Sequence, residues 1–173
     1  MNCRISNRSK LAAAISLTAL AVAAPAARAQ SIAIYSDNTC ASCEEQFAPG
    51  LLSLKVAASS PVGMSAAAFS IQSNNAANIV LAFTPTNGFL NAGTPTELLM
   101  AVGGAPQGDC IEMGDLLILM NVPGSFSIVD NPTDPTASDP IIITADAVPQ
   151  VLIAQGGVYG TGDPDIGICD LAS

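Results

Sequence analysis

Short apolar segments separated by turn residues follow one another along the chain after residue 30. In Ser31–Ser36 apolar and polar residues alternate, which is typical of a β-strand with one buried face. Proline, glycine, asparagine or aspartate stands between nearly all of the segments, and these residues favour turns. The pattern predicts eight or nine strands, with candidates at Ser31–Ser36, Leu51–Ala57, Met64–Gln72, Ile79–Thr84, Glu97–Val102, Leu116–Asn121, Ser125–Val129, Ile141–Ala145 and Val151–Ala154.

Helical periodicity is not sustained for three turns anywhere in this part of the sequence. Two short segments remain as helix candidates: Glu44–Leu52, which a Pro-Gly pair interrupts, and Thr96–Val102, which follows a Thr-Pro start. Eight or nine short strands with turns at this spacing predict an all-β fold. We expect a two-layer antiparallel β-sandwich, immunoglobulin-like or cohesin-like, whose inner faces bury the Ile, Leu, Val and Phe side chains.

The first 29 residues have the composition of a signal peptide. Basic residues precede an uninterrupted apolar stretch, Leu11–Ala24, and Ala27–Ala29 has the small-x-small form of a cleavage site. Because the stretch is short for a bilayer and is followed by a proline and an arginine, a retained membrane anchor is the poorer interpretation. We expect cleavage before Gln30, so that residues 1–29 are a leader. Residues 30–173 are then one secreted domain without membrane insertion, either periplasmic or extracellular.

Removal of the leader leaves a strongly acidic chain. Residues 30–173 contain one basic residue, Lys55, and all 14 Asp and Glu, so the formal net charge changes from −9 for the whole chain to −13. A negative field of this size repels phosphate backbones and anionic lipid, which argues against nucleic acid and membrane surfaces as partners. Another extracellular protein, a neutral polymer or a cation remains.

The same composition argues against an enzyme. The secreted part has no His and no Arg, so no Ser-His-Asp triad, Cys-His pair or guanidinium clamp can form. Paired carboxylates could hydrolyse a glycoside, but sugar clefts rely on aromatic platforms, and the chain has no Trp and two Tyr, Tyr35 and Tyr159. Lys55 stands in an alternating strand, where exposure to solvent or protection of a sheet edge is its expected role. We expect no catalytic residues.

Four cysteines lie beyond the leader: Cys40, Cys43, Cys110 and Cys169. An even number of cysteines in an exported chain predicts disulfides, and four cysteines allow three connectivities. We expect two bonds that join Cys40 and Cys43 to Cys110 and Cys169, since long closures restrict the unfolded chain most. Which cysteine of the first pair bonds to which of the second stays open.

The Cys40-Ala41-Ser42-Cys43 segment also supports an alternative hypothesis. It follows a strand and precedes Glu44–Gln46, and it resembles a thioredoxin-like strand, CxxC motif and helix start, in which the first thiol has a lowered pKa. That fold needs crossover helices and a parallel sheet, which the apolar pattern does not supply. A zinc site is less favoured still, because Cys110 and Cys169 are not closely spaced.

Acidic loops make calcium the one candidate cofactor. Asp130, Asp134 and Asp139 lie in one Pro-rich stretch and Asp163 and Asp165 in another, and carboxylate oxygens suit Ca²⁺ in an extracellular setting. Neither stretch has the Gly at position six and the Glu at position twelve of an EF-hand loop. The alternative is that these residues form solvated turns between strands, as Asp, Asn and Pro commonly do.

Several segments resemble cohesin-like domains. Gly63–Ile71 looks like the strand in which a glycine precedes a small-residue run with an inward aromatic, and Ile141–Thr144, Val151–Ile153 and Gly156–Gly160 are similar to the closing strands, which end on a Gly-Gly-Val turn. Ile32–Asp37 with a nearby Cys is similar to the opening of uncharacterised secreted bacterial domains. Two cysteine pairs depart from the cohesin pattern, and no dockerin-type calcium repeat occurs. The resemblance implies an immunoglobulin-like sandwich used in adhesion or assembly.

Three functions are therefore open. The first is a non-catalytic binding or assembly module that acts through a sheet face or end loops, and an apolar or small-residue patch on an exposed sheet face would support it. The second is a structural extracellular domain with calcium in its acidic loops. The third is a thiol redox protein, which requires a bond between Cys40 and Cys43. The composition favours the first.

Overall fold

A computed structural model describes residues 30–45, 47–132 and 139–161 of the chain. Every regular element in these ranges is a β-strand. The described ranges contain no helix that is long and apolar enough to cross a membrane. The strands are β1 Ser31–Tyr35, β2 Glu44–Glu45, β3 Gly50–Ser60, β4 Met64–Ser73, β5 Ile79–Pro85, β6 Phe89–Asn91, β7 Glu97–Val102, β8 Gly108–Met120, β9 Gly124–Val129, β10 Ile141–Thr144, β11 Val151–Ile153, β12 Gln155–Gly156 and β13 Val158–Thr161.

The strands form two sheets that pack face to face. The five-stranded sheet has the order β12-β1-β3-β8-β5, and the eight-stranded sheet has the order β11-β10-β4-β9-β13-β2, with β7 beside β4 and β6 beside β7. Strand β4 organises the larger sheet, because it pairs with β10 through residues 64–68 and with β9 through residues 70–73. A strand has two edges, so β10 and β9 share one edge of β4 end to end while β7 occupies the other.

The all-β sandwich predicted from the sequence is confirmed, and all nine candidate strands are present. The predicted number is wrong, since the described residues contain thirteen strands. The four additional strands, β2, β6, β12 and β13, have two to four residues each, which is too short for an alternating pattern to be read. The sandwich is not wholly antiparallel either, because β1 pairs with β12 and β13 pairs with β2 in parallel.

Both helix candidates are strands. Glu44–Leu52 contains β2 and the start of β3, with the break at the Pro-Gly pair that the sequence shows. Thr96–Val102 contains β7, in which Leu98 and Met100 are buried while Leu99 and Ala101 are exposed. That period of two, rather than the apolar content of the segment, identifies a strand.

The core lies between the two sheets. Phe69 of β4 is fully buried there, as the resemblance to cohesin-like domains implies for the aromatic of this strand. Ile34, Leu116 and Phe126 from three further strands are buried in the same cluster. Such side chains stabilise the fold by about 2 kcal/mol each when they leave water.

The chain crosses from one sheet to the other at Gly156 and Gly157. Gly157 donates its N–H to the carbonyl of Ile32 in the smaller sheet at 2.8 Å and accepts from the N–H of Ile128 in the larger sheet at 3.0 Å. The expected Gly-Gly-Val turn is thus a crossing, because Gly157 alone separates β12, which pairs with β1 in the smaller sheet, from β13, which pairs with β9 in the larger sheet. A Cβ on Gly156 would lie 2.1 Å from the carbonyl oxygen of Ile128.

Candidate binding face

Two apolar rows cross the outer side of the eight-stranded sheet. In the first row, Leu90 of β6 pairs with Ala101 of β7, which pairs with Ala66 of β4. The row continues through Ile143 of β10 to Val151 of β11. It therefore spans five adjacent strands, a width of about 19 Å at the usual strand spacing.

The second row is displaced from the first by two residues along each strand that they share. Leu99 pairs with Ala68, Ala68 with Ile141, and Ile141 with Ile153. Neighbouring residues of the same strands, including Leu98 and Ile142, point into the core and are fully buried. Because side chains alternate along a strand, both rows face away from the core.

We call these two rows the binding face. Its centre is formed by small side chains, Ala66, Ala68 and Ala101, and large apolar side chains flank this centre on both sides. Leu90 on one flank is 72% exposed, and Ile153 on the other is 68% exposed. Ala68 and Ile141 in the second row are buried, so the accessible apolar surface is formed by the first row together with Leu99 and Ile153. The outer side of an antiparallel sheet is ordinarily polar, and exposed apolar side chains grouped in this way are typical of an interaction site.

The binding face lacks positive charge within the described residues. Glu97 lies two residues before Leu99 on the outer side of β7, and it pairs with Ser70 at the border of the face. The sole Lys or Arg after residue 29 is Lys55, which lies in β3 of the opposite sheet. A partner that approaches this side of the molecule therefore meets apolar side chains with a negative charge at their border.

The opposite, five-stranded sheet carries a smaller apolar row that ends in an ion-pair cluster. Leu51, Leu119 and Ile79 pair across β3, β8 and β5. Farther along the same strands Lys55 donates to Asp115 at 2.7 Å and to Glu112 at 2.9 Å, and these carboxylates raise the pKa of Lys55. Lys55 is therefore in a central strand and ion-paired, rather than protecting a sheet edge.

Neither tyrosine offers a stacking platform to a sugar. Tyr35 and Tyr159 are both buried, with 1% and 0% of their surface exposed, and the chain has no Trp. Phe69, Phe126 and Phe89 are buried as well. Phe47 and Phe83 are partly buried and pack against the core.

A disulfide joins Cys40 to Cys110, 70 residues apart in sequence. It ties the loop after β1 to the start of β8. The loop is shaped by Asp37, whose carboxylate accepts from the hydroxyl and the N–H of Thr39, both at 2.8 Å, and these hydrogen bonds lower the pKa of Asp37. Cys40 follows with a φ of 58°, a backbone conformation that this hydrogen-bonded turn holds in place.

The observed bond contradicts the redox alternative, which requires Cys40 to pair with Cys43. Cys43 is buried and also disulfide-bonded. Cys169, to which the predicted long-range pattern would join it, lies outside the described residues, so that second bond stays a prediction. A disulfide of this kind is compatible with an extracellular location.

The structure brings together two of the five aspartates predicted as calcium ligands. Asp130 and Asp139 line one cavity of about 680 Å³, next to Gln30 and Gln155. Asp134, Asp163 and Asp165 lie outside the described residues. Among the residues that are described, no three acidic, His or Cys side chains form a group that could hold a metal ion. Calcium binding therefore stays a prediction.

Alternation along these strands indicates their core-facing side but not the binding face on their outer side. The signal is nevertheless visible in the sequence: Ser65–Ala68, Leu98–Ala101 and Ile141–Ile143 are small or apolar at consecutive positions instead of alternating. In an antiparallel sheet a strand that is apolar on both sides must present one apolar side outwards. These three strands are neighbours, so their outer sides join.

The fold is similar to that of cohesin modules in solved structures. One is the cohesin module of a family 33 glycoside hydrolase from Clostridium perfringens, with a TM-score of 0.51 and 10% identity over 78% of this chain and 98% of that one. Another is the CaDoc0917–CaCohA2 complex, with a TM-score of 0.50 and 13% identity over 77% and 99%. At these identities the likeness shows the fold alone, and it confirms the cohesin-like architecture.

A third similar structure is the sixth cohesin of scaffoldin B from Acetivibrio cellulolyticus, in complex with a Cel5 dockerin mutant. Its TM-score is 0.49 and its identity 11%, over 78% of this chain and 99% of that one. The sequence matches no protein-family profile and no curated protein.

Proposed function

We propose that this protein is a secreted, non-catalytic module that binds another protein through the binding face. The observation that carries the proposal is the pair of apolar rows, one across five adjacent strands and one across four, with large exposed side chains at both flanks and alanines between them. The alanine centre lies lower than the flanks, so the surface suits a protruding apolar segment of a partner.

A protein fits this face better than a neutral polymer does. Polysaccharide binding depends on exposed aromatic rings that stack on sugar faces, and both tyrosines are buried. Aliphatic side chains, by contrast, provide the desolvated centre that is usual in protein–protein interfaces. The comparison structures agree with this choice, since CaCohA2 was solved in a complex with CaDoc0917.

The partner is expected to carry basic residues around an apolar contact. The secreted chain has a formal net charge of −13, and Glu97 stands at the border of the binding face. Lys or Arg side chains at the rim of the partner would speed its approach and favour one orientation. A second copy of this acidic chain would bring like charges together and is the less suitable occupant.

Affinity capture with matched variants tests the proposal. The secreted protein is used as bait in the culture medium of the organism that produces it, alongside Leu90→Asp, Ile153→Asp and Leu51→Asp. Leu51 is 67% exposed but lies on the opposite sheet, so its variant adds the same charge outside the binding face. We expect one specific protein to be captured by the wild type and by Leu51→Asp, and by neither of the other variants.

The captured protein is then purified, and its Kd for each variant is measured by calorimetry. A charge buried in the contact should weaken binding at least 100-fold, whereas Leu51→Asp should change the Kd less than threefold. Equal loss with Leu51→Asp would contradict the assignment of the face. Light scattering of the bait alone gives a further check, because a dimer that Leu90→Asp dissociates would show that the occupant is a second copy.

A further inference from the structure

A cavity of about 680 Å³ lies at the start of β1. Gln30 lies at its wall, immediately before the first strand, and its carbonyl oxygen accepts from the N–H of Gln155 at 2.8 Å. Asp130 at the end of β9 and Asp139 before β10 line the same cavity. Two carboxylates thus face a space that also receives the residue predicted to begin the secreted chain.

One oxygen of the partly buried Asp130 carboxylate has no compensating contact in the described structure. The Oδ1 atom of Asp130 is inaccessible to solvent and has no hydrogen-bond partner. Leaving a carboxylate oxygen in this state is unfavourable, because the oxygen has lost its hydrogen bonds to water. A cation or a hydrogen-bond donor in the cavity would remove the cost.

The secreted chain has few cations to offer. Its one basic side chain, Lys55, is bound to Asp115 and Glu112 on the outer side of the other sheet. The remaining positive charge of a processed chain is its α-ammonium group. In the precursor this nitrogen is an uncharged peptide N–H, so the charge exists only after cleavage.

We propose that the α-ammonium of Gln30, freed by cleavage after Ala29, enters this cavity and pairs with Asp130. The proposal rests on the predicted cleavage position and is independent of the binding face. Leader removal would then complete the fold by creating an internal ion pair, so the processed chain is more stable than a chain with residues in front of Gln30. Asp139 adds a second negative charge to the same cavity.

The test compares chains that differ in where the ammonium lies. The full precursor is exported in a bacterial host, and mass spectrometry reads the first residue of the product. All the compared chains carry Gln30→Ser. An N-terminal glutamine can cyclise, because its α-amine attacks the side-chain amide and releases ammonia, and the nitrogen then has no positive charge. A second form has Gly-Ser inserted after Ala29, which displaces the ammonium by about 7 Å.

We expect the extended form to melt about 3 °C below the form that begins at residue 30. In Asp130→Asn this difference should vanish, since the carboxylate is absent. Asp146→Asn, which removes an exposed acid that does not line the cavity, should keep the difference. Because each comparison is made within one variant background, a general loss of stability cancels.

Three results would overturn the proposal. The first is a processed chain that does not begin at Gln30. The second is a melting temperature that the Gly-Ser extension does not change, or that it lowers equally in the wild-type and Asp130→Asn backgrounds. The third is a melting temperature that rises with millimolar CaCl₂, falls with EDTA and loses both responses in Asp130→Asn, because calcium would then be the cation at this carboxylate.

Discussion

Gly157 is held by both sheets, and the space around it excludes even a methyl group. A Cβ at this position would lie 2.5 Å from the Cβ of Ala33, and the backbone cannot retreat without losing its hydrogen bonds to Ile32 and Ile128. The requirement here is close approach of the strands rather than a left-handed backbone. The same requirement explains why two glycines stand in succession at the crossing.

Gly157→Ala is therefore expected to lower the free energy of unfolding by about 3 kcal/mol. Gly103→Ala is the matched control, because a Cβ there meets nothing within 4 Å, and it should change the free energy by less than about 0.5 kcal/mol. The midpoint of urea unfolding measures both. Equal midpoints for the two variants would show that the crossing tolerates a side chain.

Tyr35 makes the stability of the protein sensitive to alkaline pH. Burial, with a smaller contribution from the charge of Asp37, raises the pKa of Tyr35 to about 12. Above pH 10 the phenol ionises in the unfolded chain but stays protonated in the folded one until about pH 12, so stability is full below pH 10 and falls between these values. Urea unfolding at successive pH values should show this fall.

Tyr35→Phe separates the contribution of the phenol from other alkaline effects. The variant should flatten the decline between pH 10 and pH 12. At pH 7 it should be as stable as the wild type or more stable, because the buried hydroxyl has no hydrogen-bond partner in the described structure and its removal costs little. An unchanged decline in Tyr35→Phe would assign the alkaline sensitivity to other groups.

At the scale of elements, alternation and turn residues predicted where most strands lie but not how they pair. β4 was identified by its length and the turn residues that flank it, although Ala67 to Ile71 are buried consecutively, whereas the buried positions of β7 alternate. β12 and β13 were missed as strands because each is short and the sheet crossing lies between them. The pairing of β10 with β4, which joins the two halves of the binding face, spans about 75 residues and leaves no local trace in the sequence.

The side chain of Asn78 joins the β4–β5 turn to the β8–β9 turn. Asn78 in the β4–β5 turn is 4% exposed. Its Oδ1 accepts from the N–H groups of Asn121 and Val122 at 2.9 and 3.2 Å, and its Nδ2 donates to the carbonyl of Val122 at 3.1 Å. The side chain thus satisfies three backbone groups of the β8–β9 turn.

Asn78→Ala should lower the free energy of unfolding by about 2 to 3 kcal/mol, since it leaves these three groups without partners. Asn75→Ala in the same turn is the control. Its exposed side chain accepts from the N–H of Ala77, so the cost there should stay below about 1 kcal/mol. Thermal unfolding of the two variants measures the difference, and equal losses would contradict the assigned role of Asn78.

At the scale of the whole molecule, we expect the Cys40–Cys110 bond to stabilise the protein mainly by restricting the unfolded chain. A closure of 70 residues is expected to contribute about 4 kcal/mol by this route. The double variant Cys40→Ser, Cys110→Ser should therefore keep the fold but unfold at a lower urea concentration. An unchanged midpoint would mean that the unfolded chain is already compact without the bond.

The charge of the molecule and its binding face should affect different rate constants of the complex. Residues 30–173 have a formal net charge of −13, which acts over a Debye length of about 8 Å at physiological salt and should steer a basic partner before contact. Raising the salt concentration from 0.05 to 0.5 M should therefore lower kon about tenfold and leave koff nearly unchanged. Leu90→Asp should instead raise koff, because it disrupts the desolvated contact itself. Surface plasmon resonance with the purified partner separates the two effects, and a kon that does not respond to salt would show that the partner is not basic.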